Sequence, residues 1–253
     1  MQLQYTNLGE GESIVLLHGL FGNRNNLNTL AKYLAKSFNV INVDLRNHGE
    51  SAHSQSHDYL SMAQDVVETI QQTSIEKYHV LGHSMGGKVA MQIALNFPHH
   101  VNKLIVEDIA PASYPDRHSA VFEALQALDL EHLKDRKQAL SELNAHLNDI
   151  NTCHFLLKNL KNDGQKWYWQ MNLTTLKNCY TTICGFPGKE TAFHNPSLFI
   201  KGANSDYLQA QHSRLIAQYF PAFTAKIIEG AGHWIHSEKS AVFNKIVLDF
   251  LQK

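Results

Sequence analysis

The sequence predicts an α/β protein: a mostly parallel central sheet flanked by helices, with one helical insertion. Three observations predict it. Short apolar runs rich in β-branched residues alternate with amphipathic stretches along most of the chain. The apolar runs are nearly continuous, as strands covered on both faces of a parallel sheet require. From about Ser113 to His194 the alternation stops and helical periodicity takes over.

The expected strands are 14–18, 40–44, 78–81, 104–108, 198–201 and 225–228. A strand pair is expected before Ile14, beginning near Leu3, which makes 104–108 the sixth strand and places the insertion directly after it. Between strands, apolar residues recur at helical spacing and so form one buried stripe per helix. Leu27, Leu30, Ala31, Leu34 and Phe38 form one such stripe, and Leu60, Ala63, Val67 and Ile70 another. Met85, Val89, Ile93 and Phe97 form a third, which Pro98 stops. The last helix carries Val242, Phe243, Ile246, Val247 and Phe250. Inside the insertion, helical patterns cover 121–130, 133–147 and 155–160, followed by an aromatic patch at Trp167, Tyr168 and Trp169. Residues 1–112 and 195–253 are therefore expected to form the core domain, and 113–194 a helical cap, or lid, over the sheet edge. A chain of 253 residues fits one such unit, since α/β folds reach about 250 residues as a single domain.

Bulk properties exclude several function classes. Apolar residues make up 43% and charged residues 18%, the balance of an ordinary globular protein. A formal net charge of −1 argues against a nucleic-acid partner or an anionic membrane surface. Cys153, Cys179 and Cys184 are odd in number and lack CxxC spacing, so reduced thiols and a cytoplasmic location are expected. Residues 1–12 are polar and do not read as a signal peptide. No apolar run approaches the roughly 20 residues a bilayer span needs. A monomer or small homo-oligomer is expected.

The chemistry is carried by Gly82-His83-Ser84-Met85-Gly86, at the junction of a buried strand and an amphipathic helix. This is the nucleophile-elbow pattern in the context it requires. The flanking glycines leave room for a sharp turn, and the helix start favours negative charge near Ser84. A second loop, His18-Gly19-Leu20-Phe21-Gly22, follows an early strand. The N–H of Leu20, paired with that of Met85, would form an oxyanion hole, with Phe21 as the alternative to Leu20. A third loop, Gly230-Ala231-Gly232-His233-Trp234, follows a late strand and can drop His233 beside the elbow. His236 is the nearby competitor.

Two carboxylates compete for the third place. Asp108 ends the strand 104–108, and Asp206 follows the strand 198–201. In a Gly-x-x-Asp pattern after that later strand, Ser205 occupies the expected position and Asp206 comes one residue late. Asp108 is favoured and Asp206 stays as the alternative. Glu107 should point to the opposite side of its strand from Asp108. The run Asp44-Leu45-Arg46-Asn47-His48-Gly49-Glu50-Ser51 is expected to be a structural loop under the elbow, tied by Asp44 and Arg46, with no chemistry for His48.

Together these signatures resemble the α/β-hydrolase superfamily over essentially the whole chain, and within it YbfF-type bacterial esterases. The resemblance is carried by Gly82-His83-Ser84-Met85-Gly86-Gly87-Lys88, Glu107-Asp108-Ile109-Ala110-Pro111, Gly202-Ala203-Asn204-Ser205 and Gly230-Ala231-Gly232-His233-Trp234-Ile235-His236. It implies an acid at Asp108 and hydrolysis of short- to medium-chain esters and acyl thioesters beneath a helical cap. Asp206 and Ser240 depart from the family pattern. Phe21, Phe122, Phe155, Trp167 and Trp234 are candidates to line the substrate site, and Trp169 is a further candidate. The alternative is that most of the lid aromatics form the lid's own core. No metal or organic cofactor is expected, because HExxH and P-loop patterns are missing. Other serine-dependent activities on this fold, carbon–carbon hydrolases, lyases and perhydrolases, remain open, as does a non-catalytic ligand-binding role.

Overall fold

A computed structural model describes residues 1–253. In chain order the core begins with β1 (Tyr5–Leu8), β2 (Ser13–Leu17), α1 (Asn28–Leu34), β3 (Asn39–Val43) and α2 (Tyr59–Gln71). It continues with β4 (Tyr78–His83), α3 (Met85–Asn96) and β5 (Val101–Glu107). Then come α4 (Ser119–Ala127), α5 (Arg136–Leu147), α6 (Ile150–Leu157), a hairpin of β6 (Leu160–Asn162) and β7 (Trp167–Trp169), α7 (Leu173–Asn178) and α8 (Tyr180–Cys184). The chain closes with β8 (Ser197–Gly202), α9 (Ser213–Tyr219), β9 (Phe223–Ile228), α10 (Ile235–Glu238) and α11 (Ser240–Leu251).

The main sheet has seven strands in the order β1-β3-β2-β4-β5-β8-β9. β1 is antiparallel to β3 and every other pairing is parallel. Successive side chains of a strand point to opposite faces, and β2 shows the result. Val15 and Leu17 pack with Met62, Val66 and Ile70 of α2 and Val89 and Ile93 of α3. Ile14 and Leu16 pack with Leu30 and Leu34 of α1 and Phe243 and Val247 of α11. Each such buried aliphatic side chain contributes roughly 1.5–3 kcal/mol. The central strands therefore stay rigid, and their carboxyl ends can hold loops in fixed places.

Three expectations need correction. Only one strand precedes β2, so the helical insertion follows the fifth strand of the chain, not the sixth. Leu3 is buried, but its N–H donates to Thr69 Oγ1 on α2 at 3.0 Å, so that segment docks on a helix instead of pairing as a strand. β9 is not covered on both faces: it is the sheet's edge, and Thr224 to Lys226 and Ile227 are exposed. Leu60 faces solvent, and Tyr59 and Met62 take the buried positions of α2. Capping starts several helices where the sequence turns polar: Asp58, Asp135 and Asp149 each accept a backbone N–H of the first turn. No helix is long and apolar enough to cross a membrane.

Candidate active site

The fully buried strand β4 ends at His83, and Ser84 alone separates it from α3, which begins at Met85. Ser84 has φ 52° and ψ −118°, a left-handed conformation that costs a non-glycine residue of order 1–3 kcal/mol. Close packing on both sides enforces it. A Cβ on Gly82 would overlap the backbone carbonyl of Gly86, and one on Gly86 would overlap the carbonyls of Leu17 and His18. The Ser84 N–H donates to Glu107 O at 3.0 Å, which ties the turn to β5. The side chain of Ser84 is thereby presented above the sheet, at the amino end of α3.

Asp108 leaves β5 with φ 53° and is wholly buried. Its N–H donates to Ile200 O at 2.9 Å. Its carboxylate accepts three hydrogen bonds: from the Gly202 N–H at 3.2 Å, from the Ser205 hydroxyl, and from His233 Nδ1 at 2.7 Å. Ser205, the residue where an acid was sought after β8, thus serves the carboxylate of β5. The His233 ring stacks on Tyr207, with centroids 4.1 Å apart and planes 23° apart. With Nδ1–H given to a carboxylate, Nε2 is left as the proton acceptor. His233 and Ser84 line the same pocket.

Asp206 is placed elsewhere. Its carboxylate pairs with Arg117 Nη1 at 2.6 Å, is 65% exposed, and is held below the usual carboxylate range by that guanidinium. Arg117 in turn lies over the Tyr207 ring at 4.5 Å. Asp206 therefore fastens the start of the insertion to the loop after β8 and does not reach His233 by a hydrogen bond. Glu107 points to the other side of β5, where both its oxygens take His236 Nδ1, at 2.8 and 3.0 Å. That pair is buried and leaves His236 committed.

The glycine-rich loop after β2 is fixed by residues that sequence reasoning passed over. His18 Nδ1 donates to Gly19 O at 2.8 Å, and its Nε2 accepts the Leu45 N–H at 3.1 Å. Burial lowers His18 to about 4, so it stays neutral and can make both bonds. Asn159, buried at the end of α6, donates to Phe21 O at 2.6 Å. Phe21 itself has φ 59°. The N–H groups of Leu20 and Phe21 make no hydrogen bond within the protein, and Leu20 lines the pocket beside Ser84. Met85 stands at the first position of α3, where backbone N–H groups have no partner inside the helix. The loop at 44–51 is structural: Asp44 pairs with Arg24 and accepts the Glu50 N–H, and Arg46 pairs with Asp65. His48 is buried and bonds Arg46 O.

The pocket over Ser84 is lined by Phe21, Phe155, Leu156 and Trp234 together with His118 and Arg117. Three expected lining residues, Phe122, Trp167 and Trp169, are absent from it. Phe122 is buried behind Phe21 and against Tyr180, ring to ring at 5.0 and 5.2 Å, and so belongs to the core of the insertion. Trp167 sits in the β6–β7 hairpin beneath the Arg136 guanidinium, and Trp169 shares that strand. Helical periodicity and aromatic character could not separate pocket wall from lid interior. His118 closes the roof, with its Nδ1 at 2.8 Å from Tyr180 Oη, and burial lowers it to about 4.

Comparison with known proteins agrees with this fold. The family model of the alpha/beta hydrolase fold matches residues 12–240. Esterase YbfF of Escherichia coli (strain K12) is 40% identical over 234 residues, covering 92% of this chain and 90% of that one. The sn-1-specific diacylglycerol lipase ABHD11 of Mus musculus is 37% identical over 257 residues, covering 97% of this chain and 84% of that one. Among solved structures, a marine microorganism esterase superposes with a TM-score of 0.96 at 35% identity, over 98% of this chain and 99% of that one. By sequence and by shape, therefore, the chain belongs to the α/β-hydrolase fold family.

Proposed function

We propose that this protein is a serine hydrolase that cleaves carboxylic esters or acyl thioesters of short to medium acyl chain. Ser84 adds to the carbonyl carbon while His233 Nε2 takes the hydroxyl proton. The oxyanion is held by the N–H groups of Leu20 and Met85 at the amino end of α3. His233 then returns the proton to the leaving alkoxide or thiolate, leaving an acyl-serine. Water, deprotonated by the same imidazole, releases the carboxylic acid and restores the serine hydroxyl. Asp108 keeps Nδ1–H in place and stabilises the imidazolium in each half-reaction. Residues 113–194 act as a lid domain over the core domain of 1–112 and 195–253. Phe21, Phe155 and Trp234 supply the apolar wall for the substrate.

The observation that carries this reading is the Asp108–His233 bond of 2.7 Å at a pocket that Ser84 shares. The esterase and lipase names of relatives at 37 and 40% identity support carboxylic ester hydrolysis in particular. Three free thiols fit a cytoplasmic protein. The test is Ser84→Ala with a nitrophenyl butyrate assay and an organophosphate probe. The variant should keep its melting temperature within a few degrees and lose turnover, and the probe should label only the unmodified protein. Undiminished turnover in Ser84→Ala would rule out an acyl-serine.

A further inference from the structure

Behind Ser84 a second recess runs under the lid, lined by Leu20, Tyr59, Lys88, Tyr114, Tyr180 and Ile183 among others. No carboxylate lines it. Lys88 is 2% exposed and has no Asp or Glu within salt-bridge distance. Its Nζ donates to Cys184 O at 3.0 Å and Gly185 O at 2.6 Å, and lies over the rings of Tyr59 and Tyr114 at 5.4 and 4.8 Å. An ammonium carries three donors, so two carbonyls leave one N–H unspent and the charge without a counter-ion. A lone buried charge is costly, and burial accordingly pulls Lys88 down to about 7. An anion arriving in the recess would supply what is missing.

The position of Lys88 sets the size of that anion's carrier. It lies one helical turn, about 5.4 Å of rise, past Ser84: its N–H donates to Ser84 O at 3.1 Å, and both residues line the recess. Helical side chains lean toward the amino end, here toward Ser84. An acyl group attached at Ser84 and reaching Lys88 Nζ therefore spans only a few methylenes. Arg117, the other cation at this recess, is already matched by Asp206.

We propose that this recess receives an acyl group with an anionic far end, and that Lys88 is a specificity-determining residue selecting hemi-esters or hemi-thioesters of short dicarboxylic acids. The proposal rests on the hydrolytic reading above. The test compares kcat/KM for monoethyl glutarate with that for its neutral isostere, ethyl 4-carbamoylbutanoate, with ethyl butyrate as reference. The unmodified protein should prefer the hemi-ester about tenfold or more, the worth of one charge-assisted hydrogen bond. Lys88→Arg should keep a preference and Lys88→Met should bring the ratio to one or below. Should Lys88→Met fail to fold, competition decides: glutarate should inhibit ethyl butyrate hydrolysis by the unmodified protein, and glutaramide should not. Cleavage of ethyl butyrate without any preference for the hemi-ester overturns the recess assignment and leaves ester hydrolysis standing. A preference that survives in folded Lys88→Met makes Lys88 only a tie between α3 and the end of α8. If no ester is cleaved at all, the hydrolytic reading fails first and takes this proposal with it.

Discussion

Replacing Asp108 with asparagine and, separately, Asp206 with asparagine separates the two carboxylates by chemistry. In Asp108→Asn the shape is kept, but an NH2 group replaces one of two acceptor oxygens. Those oxygens now receive the Gly202 N–H, the Ser205 hydroxyl and His233 Nδ1–H. The hydroxyl can rotate to accept, whereas the Gly202 N–H cannot, so the amide oxygen turns toward Gly202 and the NH2 faces His233. The imidazole must then accept at Nδ1 and carry its proton on Nε2, where it can no longer take one from Ser84. The equivalent change in a serine-protease triad lowers kcat by roughly 10⁴-fold, which corresponds to about 5.4 kcal/mol of transition-state stabilisation. Asp206→Asn removes one exposed ion pair with Arg117, worth about 0.2–1 kcal/mol of stability, and leaves the imidazole untouched. Kinetics on nitrophenyl butyrate, with thermal melts to confirm folding, read both effects. Asp108→Asn should lose about four decades of kcat and Asp206→Asn less than one. A folded Asp108→Asn within tenfold of the parent, or a larger loss in Asp206→Asn, would refute the assignment.

Two further predictions concern the frame. Gly86→Ala pushes a methyl group into the carbonyls of Leu17 and His18, which belong to β2 and its loop and cannot rotate away. It should cost about 1–3 kcal/mol and lower Tm by about 2–4 °C per kcal/mol, and an unchanged melt would contradict the packing described. His18 and His48 are buried neutral, lowered by burial from 6.5 to about 4 and about 3. As pH falls below 6.5 the unfolded chain takes up protons that the folded chain refuses. Stability present above pH 6.5 is therefore lost toward pH 4, at about 1.4 kcal/mol per pH unit for each group. Calorimetry at pH 7, 6, 5 and 4.5 should show Tm falling through this range, and His18→Gln should flatten the slope; a Tm independent of pH would exclude these buried neutral rings.

Much of the architecture is written in local pattern. Fully buried strands such as β2 and β4 leave continuous apolar runs, and Pro98 marks the end of α3. The elbow glycines and the loop around His233 are legible because close backbone approach admits only a few residue types. Other features depend on partners far along the chain. Ser205 has no signature as a donor to a carboxylate 97 residues away, and Asn159 none as a support for Phe21 across 138 residues. The exposed face of β9 was hidden by its apolar composition, since the position of a strand in the sheet order is not a local property. Phe122 and Trp167 show the same limit inside the insertion, where burial against neighbours and exposure to a ligand demand the same side chains.

The bond from Asn159 to Phe21 O has a consequence for engineering. Caps are tempting cassettes to exchange between relatives in search of new substrate ranges. Here the insertion also carries a strut for the loop proposed to bind the oxyanion. A transplanted cap lacking an amide at this place would therefore be expected to slow the acylation step for every substrate, however well its walls fit the newcomer.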